Sequence, residues 1–287
     1  RKLTITKGQL ASDLAAVDIS GYFEDQGTTD LQCQAEVKDL SLVGNIFPAY
    51  RLTGKVNLNA KVTGRADNPE AIWQLGAQKV RYKQYLLSAL ACNGTYMNKR
   101  FDYELVATGK PNQSIEVKGM TDTQKTPAET IVEMLKIQFL DQIWTNAKSF
   151  TVKVAPKYLA IDDLIVGNRG QVARAKGILD WKGAFDLAIS LENLQLDNFN
   201  KIYTAEQNIK GSLSSYIAVS GNAAQPVIKS RIEIKDTDWN LIMRKEYGIC
   251  AARLPANPNN LLTWQGLGNI QSILISHCRI SGAAPLT

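Results

Sequence analysis

Lys55-Val56-Asn57-Leu58-Asn59-Ala60-Lys61-Val62-Thr63 alternates without a break: Val56, Leu58, Ala60 and Val62 are apolar, and every residue between them is polar. A β-strand sends successive side chains to opposite faces, so a period of two describes a strand with one dry and one wet face. The pattern recurs along the chain. Phe185, Leu187, Ile189 and Leu191 alternate with Asp186, Ala188, Ser190 and Glu192. Ile228, Ile232 and Ile234 share one face, with Lys229, Arg231, Glu233 and Lys235 on the other. Shorter examples run from Ile115 to Val117, Phe150 to Val154 and Ile161 to Val166. Asn93-Gly94, Thr108-Gly109, Asn168-Arg169-Gly170 and Lys182-Gly183 are turn signals between such segments. The expected fold is mainly β, with long antiparallel strands in a meander.

One segment departs from this. Thr126-Pro127-Ala128-Glu129 has the form of a helix start, with Thr as cap, Pro at the first position and Glu three residues after the cap. Ile131, Leu135 and Ile143, with Val132, Met134 and Phe139, fit a helical stripe. The spacing predicts a helix over 127–144; the competing reading is two strands with a turn at Leu140-Asp141.

The chain also repeats itself. Gly54, Gly64 and Pro69 recur as Gly211, Gly221 and Pro226, each offset by 157 (211 − 54, 221 − 64, 226 − 69). Val56, Ala60 and Val62 then align with Leu213, Ile217 and Val219. Upstream, Asp39-Leu40-Ser41-Leu42 resembles Asn193-Leu194-Gln195-Leu196 after a shift of three residues, and downstream both copies carry a tryptophan, Trp73 and Trp239. These coincidences describe two copies of one extended module. The expected organisation is a first β repeat over 1–125, a helical or irregular insertion over 126–145, a second repeat over 146–247 and a poorly patterned tail over 248–287.

Composition narrows the function. The 287 residues carry a formal net charge of +6, with 45% apolar and 21% charged residues. These are ordinary values for a folded chain. The basic excess is mild and forms no run of five or more Lys or Arg, so a nucleic-acid footprint is weak. No stretch reaches the roughly 18–20 apolar residues of a membrane helix. The start at Arg1, without a leader or an initiating Met, reads as an excised piece of a longer protein whose anchor would lie elsewhere. The single histidine, His277, leaves no histidine cluster for a metal and no imidazole relay. Cys33, Cys92, Cys250 and Cys278 are widely spaced; they read as buried thiols, or as one disulfide of unassigned pairing in an oxidising compartment.

No GxSxG elbow, SxxK motif or phosphate-binding glycine loop is present. Asp162-Asp163, and Asp236 with Asp238, lack the acidic spacing of a calcium loop and read as turn or surface carboxylates. Asn93-Gly94-Thr95 and Asn112-Gln113-Ser114 match glycosylation acceptors, a triplet that arises often by chance. The tryptophans Trp73, Trp144, Trp181, Trp239 and Trp264 read as packing anchors. Neither a catalytic residue, a cofactor nor a metal is expected, and the chain does not read as an enzyme.

From Leu159 to Trp239 the chain follows an ordered pattern of strands and glycine turns. The residues concerned are Leu159-Ala160-Ile161-Asp162-Asp163-Leu164, then Ala175-Lys176-Gly177-Ile178-Leu179-Asp180-Trp181-Lys182-Gly183. Phe185 to Leu196, Ile209-Lys210-Gly211-Ser212-Leu213, and Val219-Ser220-Gly221 followed by Pro226 complete the pattern. Asp39 to Tyr82 repeats its closing half. In this pattern the chain resembles the repeats of the TamB and AsmA-like proteins, and the resemblance spans roughly residues 1–245. It implies long strands curled into an open trough with an apolar interior. It also implies a periplasmic segment of a protein anchored in the inner membrane of a Gram-negative bacterium. The implied role is carriage of phospholipid between inner and outer membrane, or assistance to outer-membrane protein assembly. The implied partners are phospholipid acyl chains or unfolded outer-membrane β-strands, with a TamA-like outer-membrane barrel beyond this segment.

On that reading Val56, Leu58, Ala60 and Val62 line the interior in the first copy, and Phe185, Leu187, Ile189, Leu191, Leu213, Ile217, Val219, Ile228, Ile232 and Ile234 in the second. The alternative is a structural repeat, as in a stalk, adhesin or passenger domain, in which the same residues form a closed dry core.

Overall fold

The computed structural model describes residues 2–42, 52–200, 210–235, 261–269 and 272–281. Trp239, the Asp236 and Asp238 pair, Cys250 and the loop from Leu254 to Asn260 lie outside them. The chain divides into two compact units, Arg1–Ile143 and Trp144–Thr287.

The first unit is a meander of nine strands: β1 (Lys2–Ala11), β2 (Ala15–Glu24), β3 (Thr28–Val37), β4 (Leu52–Arg65), β5 (Asn68–Tyr82), β6 (Tyr85–Met97), β7 (Arg100–Thr108), β8 (Gln113–Asp122) and β9 (Ala128–Phe139). Each pairs antiparallel with the next. A turn at Leu140-Asp141 leads into β10 (Gln142–Asn146), which runs across the division between the units.

The second unit continues with β11 (Phe150–Ala155), β12 (Tyr158–Asn168), β13 (Gln171–Asp180), β14 (Ala184–Gln195), β15 (Ser212–Asn222), β16 (Pro226–Lys235), β17 (Leu261–Asn269) and β18 (Ser272–Ser281). These too pair antiparallel in sequence order. One 3-10 turn, Leu196–Phe199, follows β14. Residues 261–269 and 272–281 of the poorly patterned tail are therefore strands, and β17 pairs with β16.

The helix expected over 127–144 is not formed. The segment is β9, the Leu140-Asp141 turn and the start of β10, which is the competing reading. The reason is a bulge. Gly119 pairs with Val132 and Lys118 with Met134, so Glu133 is the extra residue of the bulge. An extra residue shifts the side-chain phase by one. Thr130, Val132, Leu135 and Ile137 consequently share a face at spacings of two, three and two. The three-residue step imitates helical periodicity.

The internal repeat is visible in the backbone. Gly21 lies opposite Leu31, and Gly177 opposite Leu187, an offset of 156 (177 − 21, 187 − 31). The β1–β2 register breaks between Ile5 and Gly8, and the β12–β13 register between Ile161 and Leu164, at the same offset (161 − 5, 164 − 8). Gly21 and Gly177 have φ of +122° and +132°, and a Cβ on either would overlap the carbonyl oxygen of Asp30 or Asp186. Only glycine fits there. Further on, Val62 opposes Ala71 and Val219 opposes Ile228, at an offset of 157 (219 − 62, 228 − 71). β14 has one residue more than β3 at its break between Leu191 and Leu194, where Asn193 has φ of +55°. The upstream alignment is corrected. The Leu40 N–H donates to the Gly54 carbonyl and the Leu196 N–H to the Gly211 carbonyl, so Leu40 corresponds to Leu196 and not to Leu194.

Candidate functional site: an apolar face in each unit

Directly opposed residues of antiparallel strands share a face. The pairing registers can therefore be followed across each sheet. In the first unit one rung runs Leu10, Val17, Ala35, Leu58, Leu75, Cys92, Leu105, Val117, Leu135, one residue from each of the nine strands and none of them polar apart from the thiol. The next rung runs through Ile19, Cys33, Ala60, Trp73, Gly94, Tyr103, Gly119 and Val132. Val56, Leu58, Ala60 and Val62 all lie on this face.

The second unit repeats the arrangement. Val152, Ile161, Gly177, Leu187, Val219 and Ile228 form one rung. Leu164, Ala175, Ile189, Ile217 and Ser230 form the next. Phe185 and Leu191 flank Leu187 and Ile189 on β14. Ile232 opposes Ser215, and Ile234 opposes Leu213. The expected interior residues of the second copy thus share one face of β14, β15 and β16.

How far these faces are covered decides what they can be. In a closed sandwich the inward residues are dry. Along β4 the inward residues from Leu52 to Val62 are only half-buried, and the outward Lys55, Asn57, Asn59 and Lys61 are exposed. Among the expected interior residues only Phe185 is buried, at 8% exposure, while Ile189 remains 36% exposed. Each unit is thus an open β-trough: the apolar face is sheltered by its own strands and not sealed by a second layer. The bulges help, since they bend a strand and tighten its twist.

The first face carries an aromatic group. Trp73 meets Phe101 edge-on at 5.8 Å between ring centres, and Tyr96 lies 4.6 Å from Phe101. The Trp73 indole covers the position a Cβ would take on Gly94, so glycine opposite Trp73 makes room for the ring. Tyr103 brings a phenol to the same face; burial pushes its pKa up, against the opposing effect of its hydrogen bond with Thr121. The Thr121 and Thr130 hydroxyls share a hydrogen bond of 2.9 Å.

The opposite face is wet and carries the charges. Lys61 meets Asp30 at 3.6 Å, Lys136 meets Glu116 at 2.8 Å and Arg174 meets Glu192 at 3.2 Å. The exposed pairs Lys61–Asp30 and Arg174–Glu192 add little stability, about 0–1 kcal/mol each. Asp162-Asp163 sits at the β12 bulge, with Asp163 at φ of +51° and 2.6 Å from Lys148. Lys148, by hydrogen bond and then by charge, holds the Asp163 carboxyl below the usual carboxylate range.

Among the described residues no group of three or more His, Cys, Asp or Glu could hold a metal ion. Cys33 and Cys92 are free thiols on β3 and β6. Three strand spacings of about 4.8 Å separate those strands, too far for a disulfide.

Sequence reasoning missed much of the first face: Leu31, Cys33, Ala35 and Val37 on β3, Leu75 and Ala77 on β5, and Leu90, Leu105, Val117, Leu135 and Ile137 beyond. A signal was present for β5. The Gly64–Pro69 turn fixes Val62 opposite Ala71, which places Ala71, Trp73, Leu75 and Ala77 beside the residues of β4.

Compared with protein families, curated proteins and solved structures, the chain matches none of them.

Proposed function

We propose that the two apolar faces are carrier surfaces for phospholipid acyl chains, in a periplasmic segment of an envelope-biogenesis protein of the TamB and AsmA-like type. The observation that carries this reading is the Leu58 rung: apolar side chains continue across nine strands while their neighbours on β4 remain half-exposed. A contiguous apolar surface left open to water marks a binding site. An acyl chain gains about 0.8 kcal/mol for each methylene it buries there. No hydrogen bond is needed along the way, so a guest can slide from one apolar rung to the next. The second copy of the module presents a surface of the same design, and carriage of this kind requires no catalytic group.

The structural alternative, a stalk or passenger domain with a sealed core, fits less well with an Ile189 that is 36% exposed. Native mass spectrometry of the chain purified from bacterial periplasm tests the proposal, with a closed β-sandwich of equal size as control. Phospholipid retained in stoichiometric amount by this chain alone is the expected result. A lipid-free mass that stays unchanged after incubation with liposomes would overturn it.

A further inference from the structure

The two ends of the first unit hold their charges differently. The end with the β2–β3, β4–β5, β6–β7 and β8–β9 turns neutralises its own cations. There Lys2 pairs with Glu24 at 2.8 Å, Arg65 with Asp67 at 2.9 Å, Arg100 with Asp102 at 2.7 Å and Lys125 with Glu129 at 3.0 Å. The β5–β6 hairpin turns at the opposite end. Its tip carries Lys79, Arg81 and Lys83, all exposed. Lys110 is exposed in the neighbouring β7–β8 turn, which Ser88 reaches by donating a hydrogen bond to the Gly109 carbonyl. Among the described residues none of these four cations forms an ion pair. The hairpin has no acid to offer them, since residues 71–101 contain no Asp or Glu. The tip also projects. Pairing with β7 stops at Ala89 and Thr108, whereas β5 and β6 stay paired as far as Tyr82 and Tyr85, four residues further. At about 3.3 Å per residue, the tip stands about 13 Å past β7. Tyr85 is 66% exposed there and Leu86 42%, and the Lys83 ammonium lies 5.2 Å from the centre of the Tyr82 ring.

Unpaired cations and exposed apolar side chains on one tip need two different environments. The cations need fixed negative charge. Tyr85 and Leu86 gain only by leaving water. A soluble acidic polymer supplies the first and not the second. The boundary of an anionic bilayer supplies both, with phosphate groups at the surface and hydrocarbon just beneath. Tyrosine, an apolar ring with a polar hydroxyl, suits that boundary. We propose that the β5–β6 tip docks on the surface of an anionic phospholipid bilayer. Lys79, Arg81 and Lys83 then meet the headgroup phosphates, and Tyr85 and Leu86 settle between the headgroups. The tip leaves backbone groups on the β7 side without a strand partner, so it rests in the interface and does not cross the hydrocarbon. Lys110, set back by the length of the projection, adds attraction without contact. The docking does not depend on what the apolar face carries.

Sedimentation of the whole chain with sucrose-loaded vesicles tests this. One set of vesicles is phosphatidylcholine alone, the other phosphatidylcholine mixed with phosphatidylglycerol. The chain should bind the mixed vesicles more tightly, and less so as salt is raised. Arg81→Gln with Lys83→Gln should weaken that binding about thirty-fold, the worth of two cations at a membrane surface, with the thermal midpoint unchanged. The same exchange at the other end of the unit, Lys99→Gln with Lys125→Gln, should leave it as in the parent. Tyr85→Ser with Leu86→Ser should weaken it about ten-fold or more. Equal binding to the two kinds of vesicle would overturn the proposal, since uptake of acyl chains by the trough would alone account for it. Equal losses in the two charge variants would also overturn it, because the attraction would then follow net charge and not the tip. Binding unchanged by Tyr85→Ser with Leu86→Ser would make the tip a site for acidic polymers and not for a membrane.

Discussion

Ile189 on β14 lies directly opposite Ile217 on β15, in the middle of the second apolar face, and Ile189 is still 36% exposed. Two large aliphatic side chains side by side at the centre of a sheet are normally sealed from water. Here they form part of a surface.

Ile189→Asp and Ile217→Asp should therefore separate binding from folding. Each places a carboxylate on the apolar surface where its charge can reach water, so the stability lost should be about 1–2 kcal/mol. Lipid association should be abolished. Phe185→Ala provides the contrast, because Phe185 is buried and its truncation should cost about 3–5 kcal/mol. Urea unfolding beside a liposome flotation assay measures both. If either aspartate variant simply unfolds, that isoleucine belongs to a closed core.

Gly177→Ala should destabilise the second unit by about 3 kcal/mol, since the new Cβ would meet the Asp186 carbonyl and the φ of +132° is one that L side chains rarely adopt. Gly21→Ala should do the same to the first unit through Asp30. Thermal unfolding of the two variants checks whether the equivalent bulges carry equal weight.

The Lys148–Asp163 pair sets a small pH dependence. The Asp163 carboxyl titrates below its ordinary range in the folded chain, so its contribution is complete above the unfolded value of about 4. It is lost as the pH falls through the folded value. Asp163→Asn keeps a residue type that tolerates positive φ. The variant should therefore have a lower denaturation midpoint than the parent at pH 7, and the gap should close in acid. A gap that is the same at pH 7 and pH 3 would show that the pair contributes nothing through charge.

The strands were legible where one strand face is wholly polar, as at Lys55 to Thr63, because the two-residue period is then uninterrupted. β9 was not, because the extra residue Glu133 breaks that period and brings Val132 and Leu135 onto one face three residues apart. The repeat could be read from Gly54, Gly64 and Pro69, residues that the turns require. The extra residue of β14 was hidden, because it lies within the Leu191–Leu194 bulge.

Trp73 gives the most direct view of the central claim, since it lies on the first apolar face between Ala60 and Gly94. In a variant where Trp73 is the sole tryptophan, phospholipid brominated on its acyl chains should quench the fluorescence, and the same lipid without bromine should not. Quenching that saturates with lipid would place the chains against the Trp73 rung. Fluorescence unchanged by the brominated lipid, with the fold intact, would contradict the account of an open acyl-chain trough.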